Sequence, residues 1–333
     1  MTVADLGEHA LLARILARLP RPSSMVLVGP GDDAAVLAPV RNERLVVTTD
    51  AVVEGVHFSR AYSSPADIGH RALAVNLSDL AAMGATPRWA LLSLVLPGSW
   101  PVSDVEELVD GLAALAGTHG VSVVGGNITR TDGPLVVDVT AGGGVSSRKW
   151  LTRTGAKPGH EIWVSGSIGA AAAGLEMLTQ GSGIGDQGSG PCIGRHRRPS
   201  PRVRLGTAVA RARVASAAMD LSDGLADALR QVAAASSVGV RIDAENLPIE
   251  PGAREWWTLR NEDAVARAIG GSDDYELLLA VPPKSGRALR AVAKQVADPP
   301  LTRIGLFTKD PAALVMLRDG KEEAIPDGFE HFA

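Results

Sequence analysis

Aspartates recur at the ends of apolar runs in this chain, and that pattern points to chemistry. The most telling is Asp79, within Asn76-Leu77-Ser78-Asp79-Leu80-Ala81-Ala82-Met83-Gly84-Ala85. Leu73, Leu77 and Leu80 stand at helical spacing, and Leu77, Leu80 and Ala81 cover one face. Asp79 lies inside that apolar surface. A carboxylate among Leu, Ala and Met is costly to bury unless something cationic meets it. No Lys or Arg lies within seven residues on either side. Its partner is then a distant side chain or a metal ion. The alternative is an exposed helical aspartate on a polar face.

Repetition favours the metal. Asp32 and Asp33 stand in Gly-Asp-Asp-Ala-Ala-Val-Leu, Asp50 ends the run Leu45-Val46-Val47-Thr48-Thr49, and Asp220 and Asp223 stand in Met-Asp-Leu-Ser-Asp-Gly-Leu. Leu-Ser-Asp occurs twice, at 77–79 and 221–223, an echo compatible with internal duplication but too short to prove it. Many carboxylates beside seven histidines and one cysteine suit a hard oxygen-seeking ion such as Mg²⁺ better than zinc or copper. Other stretches allow a ligand but also a structural role. Gly29-Pro30-Gly31 lets backbone approach a ligand, or is a plain turn. Gly125-Gly126-Asn127, expected at a strand end, suits a phosphate or metal, or a tight turn. Glu54 and His57 could hold a polar ligand. Arg153, in a basic stretch from Arg148 to Lys157, is a candidate phosphate contact or a solvated linker residue. Gly166-Ser167-Ile168-Gly169 opens a helix and can take an anion or serve close packing.

The elements that must position these residues follow from length and periodicity. A chain of 333 residues predicts two domains, with a boundary near 146–150. The apolar content of 45% is ordinary for a folded protein, and a net charge of −4 argues against a general binder of nucleic acid or membrane surfaces. Cys192 is the single cysteine, which excludes an internal disulfide and fits a reducing cytoplasm. Neither a signal-type apolar region nor a membrane-spanning run is expected.

In order, the pattern predicts a helix over 4–19 with Leu12, Ile15, Leu16 and Leu19 on one face, then two short strands within 24–37. A strand over 45–49 delivers Thr48, Thr49 and Asp50 to its end. The central helix after Pro65, a strand over 89–96, a helix over 103–119 and strands over 121–124 and 135–140 complete a first α/β unit. In the second half, strands are expected at 161–164, 238–242, 277–281, 302–306 and 313–317. Helices are expected at 170–179, 201–213, 225–236 and 285–297. Residues 181–190 read as a mobile Gly/Ser-rich loop. Their match to G-x-G-x-x-G at 183–188 is no dinucleotide site, because it follows a helix. Arg195-His196-Arg197-Arg198 reads as a solvated basic loop, and the aromatic C-terminus as core or stacking lid.

Clustered acids, glycine-rich turns and a few arginines describe a Mg²⁺-nucleotide site. The P-loop motif and the protein-kinase H-R-D and D-F-G motifs are absent. From the residues alone, the reading is a metal-dependent enzyme acting on phosphate esters or ATP.

Seven blocks then add a resemblance. Gly31-Asp32-Asp33-Ala34-Ala35, Thr48-Thr49-Asp50, Glu54-Gly55-Val56-His57-Phe58, the block from Ala74 to Gly84, Asp220-Leu221-Ser222-Asp223-Gly224-Leu225, Asp274-Tyr275-Glu276-Leu277 and Gly328-Phe329-Glu330-His331-Phe332 stand in the order seen in thiamine-monophosphate kinases. The chain resembles that family, within the superfamily of aminoimidazole ribonucleotide synthetase, over nearly its whole length. The resemblance implies an α/β (α+β) fold of two domains. Residues 1–147 would form an N-terminal ATP/Mg-binding and dimerisation domain, whose mixed sheet pairs with a second copy in a dimer barrel. Residues 148–333 would form a C-terminal α/β domain completing the substrate site. The implied reaction transfers the γ-phosphoryl of ATP to thiamine monophosphate, with several Mg²⁺ ions, in a cytoplasmic homodimer that binds neither nucleic acid nor membrane. The implied metal ligands are Asp33, Thr48, Thr49, Asp50, Asp79, Asn127, Asp220 and Asp223. Gly126, Asn127, Arg153 and Ser222 would meet ATP, and His57, Asp273 and Phe329 the acceptor. No general base is assigned.

Two positions depart from the family pattern. Asn127 stands where the family has Asp, which removes one charge. Asp273 stands where it has Glu, which shortens an acid by one methylene. Neither loses an oxygen ligand. A sister ATP-dependent synthetase and a non-catalytic Mg-nucleotide or thiamine-diphosphate binder are the alternatives.

Overall fold

The computed structural model describes residues 1–31, 34–181, 186–326 and 328, with backbone alone at 186–189. The chain divides into two compact units, Met1–Leu80 with Thr86–Ser147, and Ala81–Ala85 with Arg148–Ala333.

The first unit opens with α1 (Val3–Leu6) and α2 (Glu8–Arg18), followed by β1 (Val26–Val28) and β2 (Val36–Leu37), which pair antiparallel. The single helix expected over 4–19 is broken at Gly7, whose φ is +81°. The break redirects α2, so Leu11 and Ile15 are buried while Leu12 is 40% exposed. Next come β3 (Glu43–Val53), α3 (Pro65–Ala82), β4 (Thr86–Pro97), α4 (Val102–His119), β5 (Ser122–Thr131) and β6 (Val136–Ser146). β3, β4, β5 and β6 make one sheet in the order β3-β6-β4-β5, mixed because β4 and β5, joined through α4, run parallel.

Two strands are longer than the sequence pattern predicts, and both matter for the site. β3 pairs with β6 along eleven residues, so Thr48, Thr49 and Asp50 lie within the strand rather than at its end. The alternating β6 supplies a partner all along. Gly125, Gly126 and Asn127 likewise lie inside β5 and not in a turn. The β4–β5 register shifts between Ala90 and Leu91. A glycine is needed just beyond it: at Gly126, φ is +159° and a Cβ would fall 1.8 Å from the Leu92 carbonyl oxygen. α3 and α4 approach closely in the same way. A Cβ at Gly69 would meet the Leu108 oxygen at 1.8 Å, and one at Gly111 the Ala66 oxygen at 2.1 Å.

The second unit contains β7 (Glu161–Ser165), α5 (Ala170–Gln180), α6 (Asp186–Arg197), α7 (Val203–Ala212), β8 (Ala217–Asp220), α8 (Gly224–Ser236), β9 (Gly239–Asp243), α9 (Pro251–Leu259), α10 (Ala264–Gly270), β10 (Leu277–Val281), α11 (Gly286–Val296), β11 (Leu301–Thr308), β12 (Leu314–Arg318) and β13 (Lys321–Ala324). Its seven-stranded sheet has the order β13-β12-β9-β11-β7-β10-β8, antiparallel except between β9 and β12. β10, Leu-Leu-Leu-Ala-Val, is buried throughout. Ile162, Val164, Leu278, Ile304 and Phe307 pack in one core with Leu225, Leu229, Trp256 and Trp257.

The sequence pattern missed β8, α9, α10 and β13. It also misread the stretch after Gly181: from Asp186 onward the backbone is helical, and 182–185 lie outside the described residues. Arg195, His196 and Arg197 form the last turn of α6, with His196 3% exposed. The supposed solvated knot is therefore partly interior, because buried acids in this unit require cations.

A buried polar clasp joins α5, α9 and α10. The indole N–H groups of Trp256 and Trp257 both donate to Glu176 Oε2, at 2.8 and 3.0 Å, and Arg267 pairs with Oε1. Both rings are wholly buried. Glu176→Ala strands two buried donors and should lower the unfolding free energy by roughly 2–4 kcal/mol, while Glu176→Gln keeps an acceptor and should lose less. Urea denaturation followed by tryptophan fluorescence checks this; equal losses in the two variants would refute it.

Candidate functional site

In the first unit, the carboxylate without a local cation meets a hydroxyl. Thr48 Oγ1 of β3 donates to Asp79 Oδ2 of α3 in a very short hydrogen bond. Asp79 is half-buried, while Leu77, Ser78 and Leu80 around it are wholly buried. Side chains alternate along a strand, so Asp50 shares the Thr48 face and Thr49 does not. Thr49 Oγ1 instead lies 3.2 Å from Asp138 Oδ1 and 3.0 Å from Thr140 Oγ1. The row Ala51–Asp138–Ser93–Asn127 continues that second face across the sheet, with Asn127 exposed. The structure thus joins Thr48 to Asp79 and sets the Thr49 and Asn127 side chains on the other face.

His57 sits in the turn after β3. Its Nδ1 accepts the Val53 N–H at 3.1 Å, which puts the ring proton of the neutral form on Nε2. Glu54 is occupied structurally, accepting the Leu135 N–H at 3.3 Å. Asn76, one turn before Asp79, is wholly buried. Its amide nitrogen donates to the Ala72 carbonyl at 3.0 Å, and its Oδ1 has no hydrogen-bond partner among the described residues. The sequence flagged the stretch but not this acceptor.

In the second unit, two loops are laced together by backbone. Asp220, 3% exposed, ends β8, and Leu221-Ser222-Asp223 leads into α8. The Asp273 N–H donates to the Ser222 carbonyl at 2.7 Å, the Tyr275 N–H to the Leu221 carbonyl at 3.0 Å, and the Leu221 N–H to the Glu276 carbonyl at 2.8 Å. Asp273 and Tyr275 hold left-handed backbone, with φ of +69° and +50°. Between and beyond them stand two buried acids. Asp274 accepts the N–H groups of Gly169 and Ala171 at 2.7 and 3.3 Å, at the start of α5. Glu276 is wholly buried and accepts from Ser165 Oγ at 2.6 Å, from Arg202 Nε at 2.7 Å, and from Arg195. Sequence reasoning quoted Asp274 and Glu276 without giving them a role. Two acids leading into a wholly apolar strand were the available signal, since such a position demands donors. Arg153 donates to Gln231 Oε1, and Gln231 Nε2 donates to Asp227 Oδ2 at 2.5 Å.

Asp33 and Phe329 lie outside the described residues. Among the described residues no three His, Cys, Asp or Glu side chains gather as a metal cluster.

Burial pushes the Asp274 carboxyl up to about 7, against the pull of the Gly169 and Ala171 N–H groups and of Arg195. The folded state therefore binds this proton more tightly than the unfolded chain, whose aspartate titrates near 3.8. The stability it contributes is complete below that value and is lost as pH rises toward 7. Asp274→Asn, which stays neutral, should remove a decline of roughly 3–4 kcal/mol across this window. Denaturant midpoints of both proteins at successive pH values check it; parallel curves would show that Asp274 does not titrate there.

Comparison with known proteins matches this architecture along the chain. Residues 31–145 match the family model of the N-terminal domain of AIR synthase related proteins, and residues 157–316 that of their C-terminal domain. The thiamine-monophosphate kinase of Escherichia coli (strain K12) is 39% identical over 332 residues, covering 98% of each chain. Among solved structures, a thiamine-monophosphate kinase from Stenotrophomonas maltophilia K279a superimposes with a TM-score of 0.82 at 42% identity, covering 96% of this chain and 98% of that one. AaThiL complexed with AMPPCP and TMP superimposes at 0.77 with 31% identity, covering 100% and 99%. With both of its domains matched and full-length relatives well above 30% identity, the chain belongs to the AIR synthase related family and, within it, to the thiamine-monophosphate kinases.

Proposed function

We propose that this chain phosphorylates thiamine monophosphate, transferring the γ-phosphoryl group of ATP directly to its phosphate to give thiamine diphosphate and ADP. The observation that carries the reading is the full-length match to AaThiL complexed with AMPPCP and TMP. The chemistry agrees with the residues. A phosphate monoester has its second pKa near about 6, so the acceptor oxygen is already anionic at neutral pH and needs no general base. What the protein must do is bring two polyanions together in line and hold them there.

Mg²⁺ fits the donor set, which is hard oxygen throughout: the Thr48 hydroxyl set on the Asp79 carboxylate, and the orphaned Asn76 acceptor one turn away on the same helix. When bound, the ion neutralises phosphate charge and so lowers the barrier between two anions. In this reading several Mg²⁺ ions are held, with ligands from Asp33, Thr48, Thr49, Asp50, Asp79 and Asn127 and from Asp220 and Asp223. Thr49 and Asn127 face away from Asp79 and would serve a different ion from it. Gly126, Asn127, Arg153 and Ser222 meet ATP. Gly126 lets backbone approach closely, and the Arg153 guanidinium answers phosphate charge. His57, Asp273 and Phe329 meet the acceptor, with His57 Nε2–H as donor.

The protein pairs as a homodimer in the same proposal. The sheet face that carries Thr49 also exposes Leu45 at 69%, Val47 at 52% and Leu91 at 36%. Apolar side chains side by side on an open sheet suit a second copy. A cytoplasmic setting fits the one buried thiol, Cys192. Among the described residues, no helix is long and apolar enough to cross a membrane.

Incubating the protein with thiamine monophosphate, ATP and Mg²⁺ should yield thiamine diphosphate and ADP; thiamine monophosphate left unchanged would overturn the kinase reading in favour of the synthetase or the binding protein. Asp79→Asn should lower kcat by about 10²–10³, the scale of losing one preorganised electrostatic partner, while leaving the denaturation midpoint close to the parent's. Near-normal turnover in a folded variant would remove Asp79 from the site. For the dimer, light scattering should give twice the chain mass for the parent and the single mass for Val47→Asp; a monomeric parent would refute the pairing.

A further inference from the structure

Tyr275 lies between the two buried acids Asp274 and Glu276 and is itself 7% exposed. Its hydroxyl donates to Asp273 Oδ1 at 3.1 Å. A buried tyrosine hydroxyl needs a partner, and a backbone carbonyl or a water would satisfy it. Here a partner is the side chain two residues back, and the backbone is left-handed at both ends of the contact, at Asp273 and Tyr275. Neither residue is a glycine, so the conformation persists only because its surroundings impose it.

Those surroundings are specific. Asp274 is pinned to the start of α5 by the Gly169 and Ala171 N–H groups. Glu276 is pinned by Ser165, Arg195 and Arg202. The backbone between is tied to Leu221 and Ser222. Alternate residues are thus anchored inward, and the Tyr275 ring is buried beside the residue it positions. Asp273, one methylene shorter than the glutamate that the family pattern places there, is the only acid of the three that is not buried. A shorter acid reaches less far and gains more from being held.

We infer that Tyr275 is a positioning residue: its hydroxyl holds Asp273 Oδ1 and so fixes the orientation in which that carboxylate meets the acceptor substrate. This rests on the reading of Asp273 as an acceptor contact. A thiamine carries a cationic ring and an aminopyrimidine with N–H donors, and an oriented carboxylate oxygen suits either. The anchors Asp274 and Glu276 act further back, through the backbone.

The test uses Tyr275→Phe, which keeps the buried ring and removes only the hydroxyl. Thiamine monophosphate is titrated calorimetrically into the full chain, and KM values for both substrates are measured alongside. Tyr275→Phe should weaken thiamine monophosphate binding and raise its KM about fivefold, the loss of one hydrogen bond, with KM for ATP unchanged. Asp273→Asn should weaken acceptor binding at least as much. In the Asp273→Asn background, Tyr275→Phe should add little, because the two act through one carboxylate. If Asp273→Asn weakens binding but Tyr275→Phe does not, or if the two effects simply multiply, the positioning role is overturned and the site reading stands. If Asp273→Asn leaves acceptor binding unchanged, Asp273 is no acceptor contact and both fall. Equal changes in KM for ATP and the acceptor would mark a general structural effect and overturn the inference.

Discussion

A carboxylate cannot be left alone in an apolar interior, and the second unit is arranged around one such group. Glu276 is wholly buried and receives Ser165, Arg195 and Arg202. Those residues come from β7, from the last turn of α6 and from the approach to α7. One side chain therefore fixes two helices against the sheet. Removing one member of such a buried set is strongly destabilising, because the remaining charge keeps its desolvation cost. The arrangement contributes placement more than net stability. It dictates where the loop between α10 and β10 runs, and that loop carries Asp273.

The first unit solves a related problem differently. Asp79 has no guanidinium or ammonium beside it in sequence, and its described partner is a neutral hydroxyl, Thr48. A hydroxyl stabilises a carboxylate without neutralising it, which leaves negative potential at that point on the helix. α3 and α4 are set close by backbone at Gly69 and Gly111, so the helix bearing Asp79 has little freedom to shift relative to α4. An anionic position that is rigid and only half covered suits recruitment of a cation.

Much of this was legible in the amino-acid sequence, for identifiable reasons. α3, α4, α8 and α11 have apolar spacing that repeats over three or more turns, and β10 is an uninterrupted apolar run. The motif acids were visible because charge inside apolar runs is rare. Three kinds of feature were hidden. Strand lengths depend on a partner: β3 extends because β6 does, and nothing local to Thr48-Thr49-Asp50 says so. Thr49 could be separated from Thr48 and Asp50 only once the strand was known to run through all three, and the face on which Asn127 lands depends on the β4–β5 register. Helix α6 is poor in apolar residues and rich in glycine, and its basic end is held by Glu276, eighty-one positions from Arg195. No local propensity reports such a partner.

The lacing of residues 273–276 to 221–222 also bears on how this chain can vary in length. The loop after α10 holds two acids inward at alternate positions, with Asp273 just outside them and β10 paired in register to Asp220 immediately beyond. Adding or removing one residue there would pull Asp274 off the Gly169 and Ala171 N–H groups or Glu276 off Ser165, Arg195 and Arg202, and would break the backbone bonds to Leu221 and Ser222. Surface loops in proteins drift freely in length because closing a longer one costs little. This one cannot, so the spacing from Asp273 to Leu277 should behave as a fixed ruler, tolerant of exchange at single positions and closed to insertion.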